Sequence, residues 1–224
     1  MKILAAGLFL LLCCPAWAQP VPDTLEQRLL ACASCHGKRG EGLKANEYYP
    51  RIAGKPAGYL FNQLVNFRER RRRSPAMNYM VAYLSDAYLR EIAGHYAALP
   101  PAYPPPAAPA SKAVLARGEA LIFKGDPAGK IPPCAACHGE ALTGMQPAIP
   151  GLLGLDAQYI AAQMGAWRNH LRRAQAPDCM ASIAGLLDPP DIAAVSAWLA
   201  SRRPSQSGSL PAGALKLPMD CGGV

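Results

Sequence analysis

Two short motifs in the sequence carry the residue types that can attach a haem covalently. They are Cys32-Ala33-Ser34-Cys35-His36 and Cys134-Ala135-Ala136-Cys137-His138, and both have the form C-x-x-C-H. In such a motif each thiol can add across a haem vinyl group, and the adjacent histidine can occupy one axial position on the iron. A zinc site or a thioredoxin-like redox pair shares the first four positions, but neither requires the histidine or a second copy. The sequence therefore predicts two haem c groups, with His36 and His138 as proximal iron ligands.

A methionine follows each motif at nearly the same distance. Met77 lies 41 residues after His36, and Met180 lies 42 residues after His138. A thioether sulfur in the sixth iron position favours ferrous iron and leaves no room for a substrate, which suits an electron carrier. Filling the core is the ordinary role of a methionine, but both residues precede the predicted cap of the last helix of their half by eight positions. We therefore expect Met77 and Met180 to complete the coordination of the two irons.

Met80 is a second candidate for the sixth iron position in the first half. Its counterpart in the second half is Ile183, whose side chain has no atom that can bind iron. The repeat therefore favours Met77, with Met80 as the alternative.

Each proximal histidine also needs a partner that fixes its tautomer. Pro50 and Pro150 lie in loops a short distance after the two motifs. A backbone carbonyl in such a loop can accept the Nδ1–H of the imidazole and leave the other ring nitrogen for the iron. A rigid turn is the simpler role for these prolines, and the two roles are compatible.

The chain contains an internal repeat. One set of matched residues is separated by 100 positions: Pro50 and Pro150, Gly54 and Gly154, Tyr59 and Tyr159, Gln63 and Gln163, Phe67 and Trp167, Arg68 and Arg168. After a three-residue insertion the separation is 103: Met77 and Met180, Leu84 and Leu187, Leu89 and Ile192, Ile92 and Val195. A constant offset over so many residue types indicates two copies of one helical haem domain.

Apolar spacing and capping residues predict the helices of each copy. We expect Asp23 or Thr24 to cap a helix that runs into Cys32, a helix over about 56–72, a loop that holds Met77, a last helix capped by Ser85 or Asp86, and a helix over 114–123 capped by Ser111.

The sequence divides into five segments, and the fold class that it predicts is all-α. Residues 1–18 predict an export signal with Lys2 at its start, an apolar run and a cleavage site after Ala18. Residues 19–99 and 111–203 hold the two haem domains. The Pro-rich residues 100–110 cannot be helical, and we expect an extended, semi-rigid linker there. Residues 204–224 form a tail.

Two cysteines belong neither to the leader nor to the haem motifs. Cys179 precedes Met180 directly, and Cys221 lies in the tail. In an oxidising exported compartment disulfides are stable. We therefore expect a Cys179–Cys221 disulfide that straps the tail across the second haem.

The chain is basic, with 23 Lys and Arg against 15 Asp and Glu and a net charge of +8. Such a surface suits docking on an acidic protein or an anionic membrane face, and nothing in the sequence resembles a nucleic-acid module. The run Arg70-Arg71-Arg72-Arg73 comes at the end of the helix predicted over 56–72, where cations are favourable for local reasons. The alternative is that this run is a docking patch for an acidic partner or lipid head groups.

Taken together, these features resemble the diheme cytochrome c4 family of bacterial periplasmic electron carriers. The resemblance rests on the two C-x-x-C-H motifs and on Tyr48-Tyr49-Pro50-Arg51-Ile52-Ala53-Gly54, Tyr59 with Gln63, Phe67-Arg68, Met77 and Leu84-Ser85-Asp86. It covers nearly all of residues 24–203. It implies two all-α cytochrome c-like domains that face one another, each with iron bound by histidine and methionine. It also implies that the protein passes electrons from a quinol-oxidising complex or a dehydrogenase to a terminal oxidase.

The sequence departs from the family pattern in four places. Gly151 stands in the second half where the first half has Arg51, and Pro189-Pro190 opens the last helix. The linker is unusually rich in proline, and the tail with Cys221 is additional. These departures concern the contact between the domains and the choice of partner.

Two other functions are alternatives to a general electron carrier. A dedicated cytochrome subunit of a periplasmic dehydrogenase would use the tail or the arginine run for docking. A haem enzyme, peroxidase-like or thiosulfate-oxidising, would need an open iron position, and the matched methionines argue against it. We expect no catalytic residues and no small-molecule substrate, but redox proteins as partners and peripheral contact with the membrane surface.

Overall fold

The computed structural model of the protein describes residues 22–43, 48–204 and 217–223. Within these ranges the chain forms nine α-helices: α1 (Leu25–His36), α2 (Ala57–Arg68), α3 (Pro75–Met80), α4 (Asp86–Ala98), α5 (Lys112–Phe123), α6 (Cys134–His138), α7 (Ala157–Arg168), α8 (Cys179–Leu186) and α9 (Pro189–Ala200). A two-stranded antiparallel hairpin joins β1 (Gly144–Met145) to β2 (Ile149–Pro150). The predicted all-α class is therefore confirmed. The predicted export signal lies outside the described residues.

Side-chain caps begin the helices where the sequence placed them. The hydroxyl of Thr24 accepts a hydrogen bond from the Gln27 amide (3.2 Å) at the start of α1. Ser85 begins α4 and Ser111 begins α5 in the same way. These side chains satisfy amide donors that have no partner inside the helix. Of the two pairs of alternatives, Thr24 and Ser85 are the capping residues.

Two hydrophobic cores lie in the two halves of the chain. In the first half α4 packs on α1 and α2, and in the second half α9 packs on α5 and α7. The first core contains Leu29, Leu60, Phe67, Val81, Leu89, Ile92, Ala93 and Tyr96. The second contains Leu121, Ile122, Ile131, Leu142, Leu153, Ile160, Leu187, Ile192, Val195, Trp198 and Leu199. The residues matched by the repeat, such as Leu89 and Ile192, occupy equivalent places in separate cores.

The helix predicted over 56–72 is shorter than expected, and that prediction was wrong at its end. The helix α2 ends at Arg68, and Arg70 has a left-handed backbone conformation with φ 57°. The chain therefore turns away before the arginine run is complete. Arg72 then pairs with Arg172 in an isolated antiparallel bridge, in which the Arg73 amide donates to the Leu171 carbonyl (2.8 Å). The second half makes the same turn, with α7 ending at Arg168 and His170 at φ 58°. The turn therefore belongs to the repeated domain and does not depend on the run of arginines.

Met77 lies on a helix rather than in the predicted loop. It belongs to α3, a helix of six residues that Pro75 opens, and Met180 belongs to α8. Both helices are short, and each lies in the connection between two longer helices, α3 between α2 and α4 and α8 between α7 and α9. The prediction of a loop missed α3 because one and a half turns leave too little periodicity to recognise.

Residues 100–110 contain neither helix nor strand, and they lie against both halves. Pro101 packs on Gly54, and the ring of Tyr103 packs on Gly154. Both glycines have a positive φ, and a β-carbon at either position would overlap these side chains. Further along, the Ala107 amide donates to the Ala200 carbonyl (2.9 Å). The matched pair of glycines thus has two physical reasons, the left-handed backbone conformation and the close passage of this segment.

No helix in the described part of the chain is long and apolar enough to cross a bilayer.

Candidate haem sites

The proximal histidines have the same environment in both halves. The Nδ1 atom of His36 lies 2.9 Å from the carbonyl oxygen of Pro50, and that of His138 lies 2.7 Å from the carbonyl oxygen of Pro150. These are the two contacts that the sequence predicted. Burial lowers the pKa of each imidazole, and the carbonyl opposes that shift in part. Each ring is therefore a neutral imidazole that donates from Nδ1, which leaves Nε2 for a metal.

The backbone around each histidine brings the proline carbonyl to it. His36 and His138 are the last residues of α1 and α6, and each is followed by a glycine with φ near 80° that reverses the chain. In the second half the β1–β2 hairpin then returns Pro150 to the imidazole. Only a residue without a β-carbon adopts this backbone conformation at low cost.

The four cysteines of the two motifs carry free thiols. Burial raises the pKa of Cys32, Cys134 and Cys137, and that of Cys134 reaches about 11. These three thiols are protonated at neutral pH. A zinc site would require further ligands, and the described residues contain no group of three His, Cys, Asp or Glu side chains close enough to hold a metal ion.

A large cleft in the second half collects the residues that the sequence singled out. It is lined by Cys137, His138, Pro150 and Met180, and it has an empty volume of about 1390 Å³, part of it open to solvent. Met164 and Met219 also line this cleft. Sequence reasoning missed both of them because neither has a methionine counterpart in the other half.

The first half brings its own candidates together around its core. Cys32 and Met77 are both partly buried and pack against the first core. Met80 instead is 39% exposed. This difference supports the choice of Met77 over Met80 as the residue directed towards a haem.

Cys179 and Cys221 form a disulfide, with their Cα atoms 5.2 Å apart. Two hydrogen bonds hold the tail beside it. The Gly222 amide donates to the Pro177 carbonyl (2.9 Å), and the Asn62 side-chain amide of the first half donates to the Gly223 carbonyl (2.7 Å). The tail residues 217, 219, 221 and 223 line the second cleft, so the described end of the tail, residues 217–223, lies beside the candidate site of the second half.

The two halves meet through a polar cluster with approximate twofold symmetry. Arg72 donates to the side-chain oxygens of Gln63 (2.9 Å) and Gln163 (2.7 Å). Arg172 donates to the same two oxygens, at 3.0 and 2.8 Å. The repeat showed that the glutamines are matched, but their meeting across the interface was not predicted. Their proximity is seen only from the hydrogen bonds in the structure.

The arginine run is not a uniform surface patch. The side chain of Arg72 is turned into the interface, and Arg71 donates to the side-chain oxygen of Asn66 (2.7 Å). Arg70 and Arg73 are the two exposed members. Both interpretations of the run, as cations at a helix end and as a docking patch, were therefore incomplete. The run lies beyond the end of α2, and two of its four side chains are hydrogen-bonded to other residues of the protein.

Lys55 and Arg51 are two further buried cations that sequence reasoning did not assign to a site. The guanidinium of Arg51 donates to the carbonyl of Leu153 in the second half (3.4 Å) and lies over the ring of Tyr103. Lys55 lines the second cleft although it belongs to the first half. The repeat offers one signal for both, because their counterparts Gly151 and Leu155 are uncharged.

The residues present fit two haem c groups. Each half has two free thiols one helical turn apart and a histidine whose Nδ1 is already engaged. Each half also has a partly buried methionine, and in the second half this methionine and the histidine line one cleft.

Relatives of known name share most of the chain. It is 35% identical over 196 residues to the thiosulfate dehydrogenase electron acceptor of Thiomonas intermedia, which covers 87% of each protein. It is 31% identical over 176 residues to cytochrome c4 of Pseudomonas aeruginosa, which covers 78% of this chain and 85% of the relative. No family profile matches the chain.

Solved structures give the same fold. Reduced cytochrome c4 from Pseudomonas stutzeri superposes with a TM-score of 0.69 at 25% identity, over 80% of this chain and 96% of that one. The thiosulfate dehydrogenase of Marichromatium purpuratum gives a TM-score of 0.68 at 31% identity, over 78% of this chain. This match spans only 37% of the Marichromatium chain.

Proposed function

The chain belongs to the diheme cytochrome c4 family, and we propose that it carries electrons in the periplasm from a dehydrogenase towards a terminal oxidase or another acceptor. Members of this family are c-type cytochromes with two covalently bound haem c groups. The coarse activity, electron transfer by a diheme protein, follows from that membership. The donor, the acceptor and the roles of single residues are the proposal.

Ten residues hold the two cofactors in this proposal. Thioether bonds are formed by Cys32, Cys35, Cys134 and Cys137, nitrogen ligands are His36 and His138, sulfur ligands are Met77 and Met180, and the carbonyls of Pro50 and Pro150 orient the histidines. When bound, each haem supplies a one-electron Fe(III)/Fe(II) couple. The hydrogen bond from Nδ1 to the proline carbonyl fixes the ring and makes Nε2 a better donor. The soft, neutral methionine sulfur favours the ferrous state and closes the site to substrates.

The observation that carries this assignment is the duplicated contact between histidine and proline carbonyl. It occurs in both halves at 2.9 and 2.7 Å, and in each half a glycine with φ near 80° follows the histidine. A structural histidine in a core would not need the same orienting partner twice. Two copies with one orientation indicate that both imidazoles present Nε2 to a ligand of the same kind.

We propose a thiosulfate dehydrogenase as the first candidate donor. The relative from Thiomonas intermedia is named an electron acceptor of that enzyme, and it is more similar to this chain than cytochrome c4 of Pseudomonas aeruginosa. The matching region of the Marichromatium purpuratum protein lies within a longer chain named thiosulfate dehydrogenase. This supports the alternative of a dedicated dehydrogenase partner over a general carrier that accepts electrons from a quinol-oxidising complex.

The cellular location and the domain limits belong to the same proposal. The export signal over 1–18, with cleavage after Ala18, would deliver the chain to the periplasm, where a disulfide such as Cys179–Cys221 is stable. The haem domains would comprise residues 19–99 and 111–203. The two separate hydrophobic cores support this division.

The test is kinetic and spectroscopic. The full chain is produced in an exporting host with haem attachment, and the haem content per chain and the ferric charge-transfer band of methionine-ligated haem are measured. Mixing in a stopped-flow instrument then compares reduction by thiosulfate dehydrogenase with thiosulfate against reduction by a quinol-oxidising complex. We expect two haems per chain, no rapid binding of carbon monoxide, and faster reduction by the dehydrogenase.

Each part of the proposal can fail separately. Stoichiometric carbon monoxide binding at either haem would favour the haem enzyme. Equal or faster reduction by the quinol-oxidising complex would remove the preference for thiosulfate dehydrogenase, while the ligand assignment would stand.

A further inference from the structure

Lys55 is a buried lysine at the boundary between the two halves. It immediately precedes Pro56, the residue at the N-terminal boundary of α2, and its side chain is only 6% exposed. Although it belongs to the first half, it lines the same cleft as Cys137, His138 and Met180 of the second half. Its ammonium nitrogen lies 5.7 Å from the ring centre of Tyr59, close enough for a cation–π interaction.

The surroundings of Lys55 are cationic. The nearby charged groups that act on it are the guanidinium groups of Arg51, Arg72 and Arg172. Among the described residues, no Asp or Glu forms an ion pair with any of these four cations. The arginines donate instead to neutral amide, phenol and carbonyl oxygens. Burial and the three arginines hold the pKa of Lys55 well below its usual range.

Such a cluster is unfavourable without anions. Burying a charge is energetically costly unless a group of opposite charge accompanies it. Each haem c carries two propionate groups, so two haems bring four carboxylates. In the described part of the protein Arg51, Lys55 and Arg172 are buried and Arg72 is half-buried, and none of them has an acidic partner. The propionates are therefore the anions that this part of the protein lacks.

The cations are distributed unequally between the halves. Arg72 and Arg172 form a symmetric pair across the interface. Arg51 and Lys55 come from the first half alone, because the second half has Gly151 and Leu155 at the matching positions. The charge of Lys55 acts on His138, whereas the cation that acts on His36 is Arg72. The first half thus places an extra positive charge at the candidate haem of the second.

We propose that Lys55, supplied by the N-terminal half, is a counterion for a propionate of the C-terminal haem and raises the reduction potential of that haem. The inference rests on the proposed ligation of both haems. A nearby positive charge stabilises the reduced state, which has one positive charge fewer on the iron, and the effect is strong where water is excluded. Lys55 is in this sense a positioning and tuning residue for electron transfer between the halves.

The variant Lys55→Met tests this directly, because methionine has a similar length and no charge. The two midpoint potentials are measured by a redox titration followed by NMR, with the haem methyl signals of each half assigned through their neighbours. We expect the equilibrium constant for reduction of the C-terminal haem to fall about tenfold, which is about 59 mV for a one-electron couple. The N-terminal haem should shift much less, and Lys55→Arg should retain most of the wild-type value.

Two controls separate this effect from others. Leu155→Met changes an apolar residue of the same cleft without a change in charge, and it should leave both potentials in place. Lys112→Met removes an exposed lysine from the start of α5, and it should shift neither haem appreciably. If Lys55→Met does not fold, Lys55→Gln makes the same comparison with a polar neutral side chain.

The outcomes distinguish this inference from the proposed function. Unchanged potentials, or equal shifts of both haems, in a Lys55 variant that retains two methionine-ligated haems would overturn the role of Lys55. A wild-type protein without two such haems would instead overturn the ligation on which the inference rests.

Discussion

The two halves surround their candidate methionines with different neighbours. In the N-terminal half Tyr79 and Tyr83, close to Met77, are 81% and 98% exposed. In the C-terminal half Met180 follows a cysteine whose disulfide ties the tail across the cleft. Both methionines are half-buried, but exposed tyrosines lie near Met77, whereas the end of the tail lies near Met180. An electron-transfer partner is therefore expected to dock beside Met77 rather than beside Met180.

The helices that carry the two C-x-x-C-H motifs also differ between the halves. Cys32 and His36 belong to one continuous helix, α1, whereas α5 ends at Phe123 and the second motif forms a separate short helix, α6. The residues between them fold back through a bridge of Asp126 with Ile131, and Ile131 enters the second core. The segment between α5 and α6 therefore adds an apolar side chain to the second core. The two copies of the domain therefore share the haem motif but differ in the segment that precedes it.

The largest expected effect comes from removal of one methionine at a time. Met77→Ala should open the iron of the N-terminal half, and Met180→Ala that of the C-terminal half. Each change should lower the potential of its own haem by on the order of 0.1–0.2 V, within the range that axial ligands cover. Carbon monoxide binding and the ferric charge-transfer band report the change. Binding should be faster in Met77→Ala because the end of the tail lies beside Met180 and not beside Met77. Met80→Ala is the control and should leave both haems unchanged.

Removal of the disulfide should affect the C-terminal half more than the N-terminal half, which contacts the tail through the hydrogen bond from Asn62 to Gly223. Cys221→Ser removes the disulfide that joins two cysteines 42 positions apart in the sequence. A loop of this size corresponds to a loss of about 2–4 kcal/mol in the free energy of unfolding. Denaturant unfolding followed at each haem by NMR measures it, and reduced wild-type protein should match the variant. An equal loss in the N-terminal half would contradict the separation of the two cores.

The exposed tyrosines provide the next test of the comparison. If donors dock at the N-terminal half, the double change Tyr79→Ser and Tyr83→Ser should slow reduction by the dehydrogenase about tenfold, because exposed aromatic residues contribute strongly to interfaces. Stopped-flow rates at several donor concentrations measure this effect. Leu186→Ser is the matched control, since Leu186 is the counterpart of Tyr83 and also exposed. A larger effect of the control would place docking on the C-terminal half.

Helix caps give the smallest effect. Thr24→Ala and Ser111→Ala each remove a side-chain acceptor at the start of a helix, and each should cost about 1 kcal/mol of unfolding free energy. Only Thr24→Ala should also lower haem attachment, because α1 continues into its motif while α5 does not. Haem content per chain, measured after expression at elevated temperature, compares the two variants.

Much of the candidate site could be predicted from residues that lie close together in the sequence and from the internal repeat. The two histidines, the proline carbonyls that face them and the pairing of Cys179 with Cys221 all follow from motifs, from the repeat or from the small number of spare cysteines. The roles of Met77 and Met180 as ligands stay predictions. The end of α2 at Arg68 and the helix around Met77 were missed, because local patterns do not say where tertiary contacts pull a chain out of a helix.

By itself the sequence determined the chemistry and its duplication. Residue types within a few positions of one another decide which haem motif, cap or repeat is present, and these are local properties of the chain. Only the tertiary structure decided which residues of one half contact the candidate haem site of the other. It placed Lys55 of the first half in the cleft of His138, joined Arg72 to Gln163, and laid the end of the tail beside the second site. Such contacts depend on how two cores pack together, and the electrostatic energy of a buried charge depends on neighbours far away in the sequence.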